Sequence, residues 1–311
     1  MKLKKPDFWD LKKPNFYSYL LIPFTLPIYL KNILSKNTVV ESGKTKKICV
    51  GNIYIGGTGK TPLSIMISNI FINEGKKSVV IKKYYKNQLD EQRLIEKYAN
   101  LICKKNRIKS VEEAKDKKFE YLIFDDGLQD SSVNYDLKIV CFNNNQWIGN
   151  GLLIPAGPLR ETINSLKKYD AVIINGNNLK NNEINSIIKK ANNKINIFES
   201  YYEPTNLNKF DIKKDYVVFS GIGNNNNFFN LLKKNNFKII KKFNFPDHYK
   251  PMDNEINKII KFSKENNAEI ITTEKDFLRL DKKFQDKIKF LEVKIKMYNY
   301  NKFYNYIKKI L

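Results

Sequence analysis

A short glycine-rich segment carries the sharpest chemical signal in the sequence. Gly56-Gly57-Thr58-Gly59-Lys60-Thr61 follows the apolar run Lys47–Ile53 and precedes a helical pattern. Glycines in such a loop let backbone N–H groups turn inward around a phosphate, and the helix N-terminus adds positive potential. Lys60 would reach the β- and γ-phosphates, and the Thr61 hydroxyl would bind Mg²⁺. The segment predicts a phosphate-binding loop, with a generic glycine-rich turn as the alternative.

The loop departs from the full motif at one position, because Tyr54 stands where a further glycine is usual. The strand–loop–helix context supports the nucleotide interpretation nonetheless. The predicted nucleotide-binding residues are Tyr54, Ile55, Gly56, Gly57, Thr58, Gly59, Lys60 and Thr61.

Two adjacent carboxylates follow another apolar run. Tyr121–Phe124 leads directly into Asp125, Asp126 and Gly127. The carboxyl ends of parallel strands face the crevice where ligands bind in doubly wound sheets. We therefore expect Asp126, with Asp125 supporting it, to hold Mg²⁺ together with Thr61. A simple turn after the strand is the alternative.

His248, within Phe245–Tyr249, is the only histidine in the sequence. Phosphoryl transfer to an alcohol needs a group that positions or deprotonates the nucleophile. Imidazole is the side chain whose unperturbed pKa lies nearest to neutrality. His248 is therefore a candidate for this role, and a purely structural histidine is the alternative.

A cluster of glycines and prolines, residues 149–161, ends in Arg160 and Glu161. The sequence contains only four arginines among 56 basic residues. A guanidinium binds phosphate through two parallel hydrogen bonds, and a carboxylate can contact a metal or a hydroxyl. The cluster predicts a phosphate contact, and a rigid loop with an exposed ion pair is the alternative.

These residues require a scaffold of parallel strands. Apolar runs alternate with helical patterns, which is typical of a doubly wound, mainly parallel α/β fold. After the first run, the helical face built on Leu63, Ile67 and Phe71 ends near Gly75. The predicted strands are Lys47–Ile53, Ser78–Ile81, Tyr121–Phe124, Leu137–Phe142, Asp170–Ile174, Tyr216–Phe219, Phe237–Ile240 and Ala268–Ile271.

The chain is predicted to have three parts. Residues 1–40 form an N-terminal helical segment, residues 41–174 a first lobe with the phosphate loop, and residues 175–311 a smaller α/β lobe. The Asn/Lys-rich stretch 177–194 is the expected crossover between the lobes. The last helix, near Asn301–Leu311, could belong either to the second lobe or, by packing back, to the first lobe.

The N-terminal segment contains an uncharged apolar run, Phe16–Leu30, that includes Pro23 and Pro27. A spanning helix needs about 20 apolar residues, and prolines interrupt helices. Apolar and aromatic groups between lysines favour a segment lying in a membrane interface. A helix packed on the domain and a single span remain alternatives. The flanking lysines are Lys4, Lys5, Lys12, Lys13, Lys31 and Lys36.

Composition narrows the class of protein. Hydrophobic residues make up 42% of the 311 residues, which excludes wholesale disorder. The net charge of +24 favours partners with phosphates, such as nucleic acid, an anionic membrane or a phosphorylated substrate. An AT-rich genome would enrich lysine as well. Three separated cysteines and one histidine argue against a zinc site and against a disulfide framework.

Together these segments resemble the tetraacyldisaccharide 4'-kinase family, the lipid A 4'-kinases. The matching blocks are Val50-Gly51-Asn52 with Gly56–Pro62, Asp125–Gln129, Pro155–Glu161, Ser220–Gly223, Phe245–Tyr249 and Thr273–Asp276. The resemblance implies a P-loop kinase that uses ATP and Mg²⁺. Its acceptor would be the 4'-hydroxyl of the lipid A disaccharide precursor, tetraacyldisaccharide 1-phosphate. It would act at the cytoplasmic face of a Gram-negative inner membrane, as a peripheral or monotopic protein on an anionic surface.

The resemblance also assigns residues. The family's aspartate–histidine dyad falls on Asp90 and His248, with Asp90 as the base and His248 orienting it. Lys60 stabilises charge on the transferring group. The substrate contacts implied are Arg160, Glu161, Gln129 and Tyr85.

This sequence departs from the family in several places. The usual Ser-Arg-Gly-Tyr-Gly is here Lys82–Lys86, where only Tyr85 matches and Lys83 replaces the arginine. Asp130 stands where histidine is usual, and Thr162 replaces a proline. These departures concern the acceptor-binding surface more than the nucleotide site.

Three other functions compete with this interpretation. A membrane-associated switch ATPase would carry a signature lysine where this sequence has Ile55. A nucleic-acid-binding protein would want a recognisable binding motif and more arginines. A kinase with a different lipid or sugar acceptor is the third. We expect no nucleic-acid partner and no required protein partner.

Overall fold

The computed structural model describes residues 5–34, 45–86, 88–176 and 181–310. The strands are β1 Lys46–Gly51, β2 Ser78–Lys83, β3 Leu101–Lys104, β4 Tyr121–Asp125, β5 Leu137–Asn143, β6 Ala171–Asn175, β7 Asn196–Pro204, β8 Asp215–Ser220, β9 Lys238–Asn244, β10 Glu269–Thr273, β11 Lys289–Leu291 and β12 Val293–Met297. The α-helices are α1 Phe16–Leu21, α2 Leu26–Leu34, α3 Lys60–Asn73, α4 Leu89–Tyr98, α5 Arg107–Asp116, α6 Asn182–Ala191, α7 Asn225–Lys234, α8 Asp253–Glu265, α9 Glu274–Phe277, α10 Lys282–Gln285 and α11 Tyr300–Lys308. Short 3₁₀ helices cover Asp7–Asp10, Ile22–Thr25, Ile163–Lys168 and Leu207–Lys209.

The chain divides into two compact units. The larger unit comprises Leu3–Tyr84, Tyr98–Tyr202 and Ile295–Leu311, and it holds an eight-stranded sheet. The strand order is β12-β7-β6-β5-β1-β4-β2-β3, with β1 parallel to both β4 and β5. Ile48, Cys49 and Val50 are all fully buried, so both faces of β1 are covered. This is the doubly wound parallel α/β architecture that continuous apolar strands predict.

Helix α3 follows β1 through the glycine-rich loop. Its residues Leu63, Ile67 and Phe71 are fully buried, as their helical spacing predicts. The helix ends before Gly75, whose φ of 74° lies in the left-handed region that favours glycine.

The smaller unit comprises Tyr85–Lys97 and Glu203–Lys294. Its four-stranded sheet has the order β11-β10-β8-β9, and every neighbouring pair is parallel. Helix α8 contributes Ile256, Ile259 and Ile260 to the buried cluster beside Val217 and Phe219.

The division between the units lies after Tyr202, whereas the sequence placed it at 174/175. Strand β7 is the reason, because it pairs in parallel with β6 from Ala171↔Asn196 to Asn175↔Ser200 and extends the large sheet. Strand β7 was not predicted, because polar residues interrupt its apolar pattern. The final helix, α11, belongs to the larger unit. Residues 177–180 of the expected crossover, and Leu311 at the end of the expected last helix, lie outside the described residues.

The N-terminal apolar run forms two short helices, α1 and α2, separated by the 3₁₀ helix Ile22–Thr25. Pro23 and Pro27 each occupy the second position of their element, where the missing N–H costs no helical hydrogen bond. Among the described residues, no helix reaches the length and apolar content needed to cross a membrane. Lys4 and Lys36, counted among the flanking lysines, and the other residues of 1–4 and 35–40 in the predicted segment lie outside the description.

Candidate active site

The glycine-rich loop of the larger unit has the backbone geometry that a phosphate cradle needs. Gly56 and Gly59 have φ of 136° and 93°, which side chains rarely adopt. Asn52 braces the loop, since its Nδ2 donates to the Gly56 carbonyl at 3.2 Å and to the Thr58 hydroxyl at 3.1 Å. Helix α3 starts at Lys60, and no described side chain caps it. Its first-turn N–H groups can therefore receive a phosphate.

Tyr54 and Ile55 anchor the start of this loop. The Tyr54 ring is fully buried with Leu153 and Leu159, and its hydroxyl donates to Asp10 Oδ1 at 2.6 Å. Burial, then Asp10, raises the pKa of the Tyr54 phenol. The Ile55 N–H donates to the Pro158 carbonyl at 2.9 Å. The Tyr54 side chain and the Ile55 N–H are thus engaged within the protein.

Thr61 and Asp125 form the candidate metal end of the site. The Thr61 hydroxyl donates to Asp125 Oδ2 at 2.9 Å, and both residues are buried. Asp125 Oδ1 has no hydrogen-bond partner among the described residues, although it is buried. A hydroxyl, a carboxylate and a spare carboxylate oxygen are the hard oxygen ligands that Mg²⁺ prefers.

The described residues include no group of three or more His, Cys, Asp or Glu able to hold a metal. Mg²⁺ commonly takes one or two carboxylates and completes its shell with water and substrate phosphates. The pair at Thr61 and Asp125 fits that mode of binding.

Lys82 shares Asp125 with Thr61, and it was not among the site residues predicted from the sequence. Its ammonium lies 2.8 Å from Asp125 Oδ2, and the Lys82 side chain is only 4% exposed. A buried lysine at the carboxyl end of an apolar strand is the signal that would have found it. Such a pair is costly to break because either partner would be left as an uncompensated buried charge.

Asp126 lies among cations rather than beside Thr61. Its Oδ1 is 2.9 Å from Arg160 Nη1 and 3.8 Å from Lys60 Nζ. Its φ of 60° is unusual for a residue with a side chain. Burial alone would raise the pKa of Asp126, but the charges of Lys60 and Arg160 outweigh it and lower that pKa. Asp125, not Asp126, is therefore the carboxylate in contact with the Thr61 hydroxyl.

Three of the predicted substrate residues form one network. Arg160 Nη1 donates to Gln129 Oε1 at 3.2 Å, and Gln129 Nε2 donates to Glu161 Oε1 at 2.8 Å. The Tyr169 hydroxyl contacts both Glu161 oxygens, at 2.8 and 2.9 Å. Burial and the Glu161 charge raise the pKa of the Tyr169 phenol. Glu161 is buried and holds Gln129 in place, while Arg160 remains partly exposed.

Arg107 is a second residue of the site that was not predicted from the sequence. Its Nη2 donates to the Asp126 carbonyl at 2.6 Å, and its Nη1 pairs with Asp130 Oδ2. Arg107 is buried, so it fixes the backbone of the Asp125–Asp126 turn from behind.

The smaller unit contains the predicted dyad. Asp90 Oδ1 lies 3.4 Å from His248 Nδ1, and Asp90 Oδ2 accepts from Arg279 Nη2 at 2.7 Å. The Asp90 side chain is 1% exposed and that of His248 is 15% exposed. Burial alone would raise the pKa of Asp90. The His248 hydrogen bond and the charges of Lys275 and Arg279 outweigh it and hold that pKa well below its usual range.

Arg279 ties the dyad to its surroundings and was not predicted. Its Nη1 donates to the Gly221 carbonyl at 2.7 Å and to Asp276 Oδ1 at 2.6 Å. Asp276 Oδ2 in turn accepts from the Gly221 N–H at 3.0 Å and from the Thr273 hydroxyl at 2.6 Å. The blocks at Ser220–Gly223 and Thr273–Asp276 therefore meet through Arg279.

Further charges surround His248. Glu91 Oε1 lies 2.7 Å from Lys275 Nζ and 3.6 Å from His248 Nε2. Burial would lower the pKa of Lys275, but Glu91, Asp247 and Asp90 outweigh it and raise that pKa. His248 has a φ of 57°, a strained value for a non-glycine residue, which is typical of functional positions. Tyr85 belongs to the same unit and is exposed.

Comparison with known proteins gives a consistent result. The family model described as tetraacyldisaccharide-1-P 4'-kinase matches residues 20–311. The tetraacyldisaccharide 4'-kinase of Pelagibacter ubique (strain HTCC1062) is 50% identical over 281 residues, 90% of each chain. That of Rickettsia bellii (strain OSU 85-389) is 32% identical over 330 residues, 99% of each chain. The crystal structure of the "apo" form of LpxK from Aquifex aeolicus in complex with ATP is similar in fold. Its TM-score is 0.65 at 24% identity, over 94% of this chain and 97% of that one.

Proposed function

The chain belongs to the tetraacyldisaccharide-1-phosphate 4'-kinase family, and from that premise we propose how its residues carry out the reaction. The protein transfers the γ-phosphoryl group of ATP to the 4'-hydroxyl of tetraacyldisaccharide 1-phosphate, a step in lipid A biosynthesis. The main support for placing the ATP phosphates and Mg²⁺ at the glycine-rich loop is the hydrogen bond between Thr61 and Asp125.

At the phosphate end, the N–H groups of Gly56 to Gly59 surround the phosphate chain, and Lys60 stabilises the charge on the transferring group. Thr61 and Asp125 hold Mg²⁺, as their oxygen atoms and the spare Oδ1 of Asp125 suggest. When bound, Mg²⁺ neutralises charge on the phosphate oxygens. Asp126 keeps Lys60 and Arg160 oriented, because it lies between the two cations.

Arg160 is the residue we assign to a phosphate contact on the substrate. Its guanidinium is partly exposed, and its Nη1 is oriented by Asp126 and Gln129. Glu161 and Gln129 support Arg160 from behind through the buried network with Tyr169. Tyr85, the one match to the family in Lys82–Lys86, keeps its assignment as an acceptor contact.

The sequence predicts that Asp90 takes the proton of the acceptor hydroxyl and that His248 orients Asp90. The geometry favours the opposite assignment. Both Asp90 oxygens are occupied, by His248 and Arg279, and the pKa of Asp90 lies well below its usual range. A strongly acidic carboxylate is a weak base. His248 is the more exposed member of the pair, so we assign it the role of the general base that accepts the proton. Asp90 then orients the His248 imidazole.

Mutant kinetics test this assignment. His248→Ala should lower kcat by about 100-fold or more with little change in KM, because general-base catalysis acts in the transition state. Asp90→Asn keeps a side chain that can bind His248 and should retain more activity than His248→Ala. If only KM changes in His248→Ala, or if Asp90→Asn is the more damaging variant, the exchanged roles are wrong.

We also propose that the protein binds the cytoplasmic face of the inner membrane through helices α1 and α2. These helices and the 3₁₀ helix Ile22–Thr25 between them expose large apolar side chains, including Phe16 at 75%, Phe24 at 65% and Leu34 at 71%. Apolar groups next to lysines insert into an interface, and each lysine near an anionic surface adds about 1 kcal/mol. The Asn32 amide donates to the Arg160 carbonyl at 2.9 Å, which links α2 to the phosphate contact.

Vesicle flotation tests the membrane proposal. The protein should float with vesicles containing phosphatidylglycerol, and a Phe16→Ser, Phe24→Ser double variant should bind them much more weakly. A variant of Ile212, an apolar residue 55% exposed in the smaller unit, is the matched control. Equal flotation of wild type and double variant would contradict the proposal.

A further inference from the structure

A buried amide without hydrogen bonds lies at the end of strand β6. Asn175 is 2% exposed, and neither its Nδ2 nor its Oδ1 has a hydrogen-bond partner within the described residues. Its Cα partner on β7 is Ser200, whose buried hydroxyl is also unpartnered in the described part of the chain. Nearly all buried polar groups in proteins are paired, so an amide with both ends unpaired requires an explanation.

The place of Asn175 in the fold indicates what would satisfy it. Strands β5, β6 and β7 are parallel, and Asn175 ends β6 at the carboxyl edge where ligands bind in doubly wound sheets. A Cβ atom built on Gly59 would lie 2.7 Å from Asn175 Nδ2 and 3.0 Å from the Tyr202 hydroxyl. Asn175 and Tyr202 therefore lie directly against the phosphate-binding loop.

The neighbouring side chains do not satisfy the amide. Burial raises the pKa of the Tyr202 phenol to about 12, and the Asn175 amide acts against that rise. The two side chains nevertheless do not form a hydrogen bond that satisfies the amide. Asn144, which follows β5, donates its N–H to the Asn175 carbonyl at 3.0 Å, and its own Oδ1 is likewise buried and unpartnered among described residues.

We propose that Asn175 recognises the adenine base of ATP. An asparagine amide offers one acceptor and one donor side by side, which matches the N6 amino group and N7 of adenine. In that arrangement Oδ1 accepts from N6 and Nδ2 donates to N7. Guanine presents two acceptors, O6 and N7, on the same edge, so the amide cannot satisfy both. The inference rests on ATP as the phosphoryl donor and adds selectivity for its base.

The variant Asn175→Leu distinguishes an amide that binds the nucleotide from an amide that stabilises the fold. An amide that binds only the nucleotide contributes no internal hydrogen bond, so its replacement by an apolar side chain of similar size should not lower Tm. Asn192 is the matched control, because its Nδ2 donates to the Leu166 carbonyl at 2.9 Å. Asn192→Leu should lower Tm and leave base selectivity unchanged.

The test is calorimetric binding of ATP, GTP, 7-deaza-ATP and purine riboside triphosphate to the full-length protein with Mg²⁺. The wild type should bind ATP about tenfold more tightly than each of the other three. Asn175→Leu should lose about tenfold in ATP affinity and bind all four alike. Equal binding of ATP and 7-deaza-ATP by the wild type, or selectivity that persists in Asn175→Leu, would overturn the proposal while the kinase assignment stands. A wild type that binds none of the four nucleotides would instead contradict the phosphate-loop assignment.

Discussion

The hydroxyl of Thr61 donates a 2.9 Å hydrogen bond to Oδ2 of Asp125, which joins the first turn of helix α3 to the end of strand β4. The same Oδ2 receives the Lys82 ammonium, while Oδ1 stays unpaired within the described residues. One carboxylate therefore connects the phosphate loop, a buried cation and the candidate metal position.

Asp125→Asn should be more damaging to Mg²⁺ use than Asp126→Asn. The substitution removes the charge next to Thr61 and should lower kcat by about 100-fold at saturating ATP, the scale of a lost electrostatic contact. It should also shift the Mg²⁺ dependence to higher concentrations. Asp126→Asn is the matched control, because its carboxylate pairs with Arg160 and Lys60 instead. An identical Mg²⁺ dependence in the two variants would contradict the assignment.

Lys82→Met should destabilise the fold. It leaves the Asp125 carboxylate buried without its cation, which typically costs about 3–5 kcal/mol in the free energy of unfolding. Lys76→Met is the control, because Lys76 is an exposed lysine 4.0 Å from Glu120 and such pairs contribute about 0–1 kcal/mol. Urea denaturation of both variants measures the difference. A loss for Lys82→Met no larger than that for Lys76→Met would show that the buried pair is not maintained in solution.

Arg279→Lys should lower kcat by about tenfold with KM nearly unchanged. Lysine keeps the charge but loses the planar fork that contacts Asp90, Asp276 and the Gly221 carbonyl together. The orientation of Asp90, and through it that of His248, should become less fixed. Arg93→Lys is the control, because the Arg93 guanidinium donates to the Leu278 carbonyl at 2.7 Å. A change in KM alone would argue against a positioning role for Arg279.

The stability contributed by Asp90 should depend on pH with a definite sign. The folded-state pKa of Asp90 lies below the unfolded value of about 3.9. As the pH falls, the unfolded chain therefore binds its proton first, which favours unfolding. The stabilisation is complete above pH about 4 and is lost progressively at lower pH. The difference in unfolding free energy between wild type and Asp90→Asn should shrink below that pH, and a constant difference would contradict it.

Local motifs were readable from the sequence, but contacts between distant segments were not. Strands β1, β2, β4 and β5 are continuous apolar runs, so their burial and parallel pairing could be predicted. The glycine-rich loop could be predicted for the same reason, since its signal lies within six consecutive residues. Strand β3 has only four residues, polar residues interrupt the apolar pattern of β7, and β12 alternates polar with apolar positions, so these strands did not stand out.

The site shows the same limit. Lys82 reaches Asp125 across 43 positions, and Arg279 reaches Asp90 across 189. Only the folded chain brings such pairs together, since no spacing rule connects them. The expectation that Asp126 is the main metal carboxylate took no account of two features that local patterns do not reveal: Asp126 has a positive φ, and its side chain contacts Arg160, whereas Asp125 contacts Thr61.

Direct assay of phosphoryl transfer tests the central claim. Detergent-solubilised protein is incubated with Mg-ATP and tetraacyldisaccharide 1-phosphate, and mass spectrometry detects a product heavier by one phosphate. Wild type and the surface variant Lys76→Ala should form this product, and Lys60→Ala should not, although it remains folded. Product formed equally by Lys60→Ala, or ATP hydrolysis by the wild type with no phosphorylated disaccharide, would contradict the account.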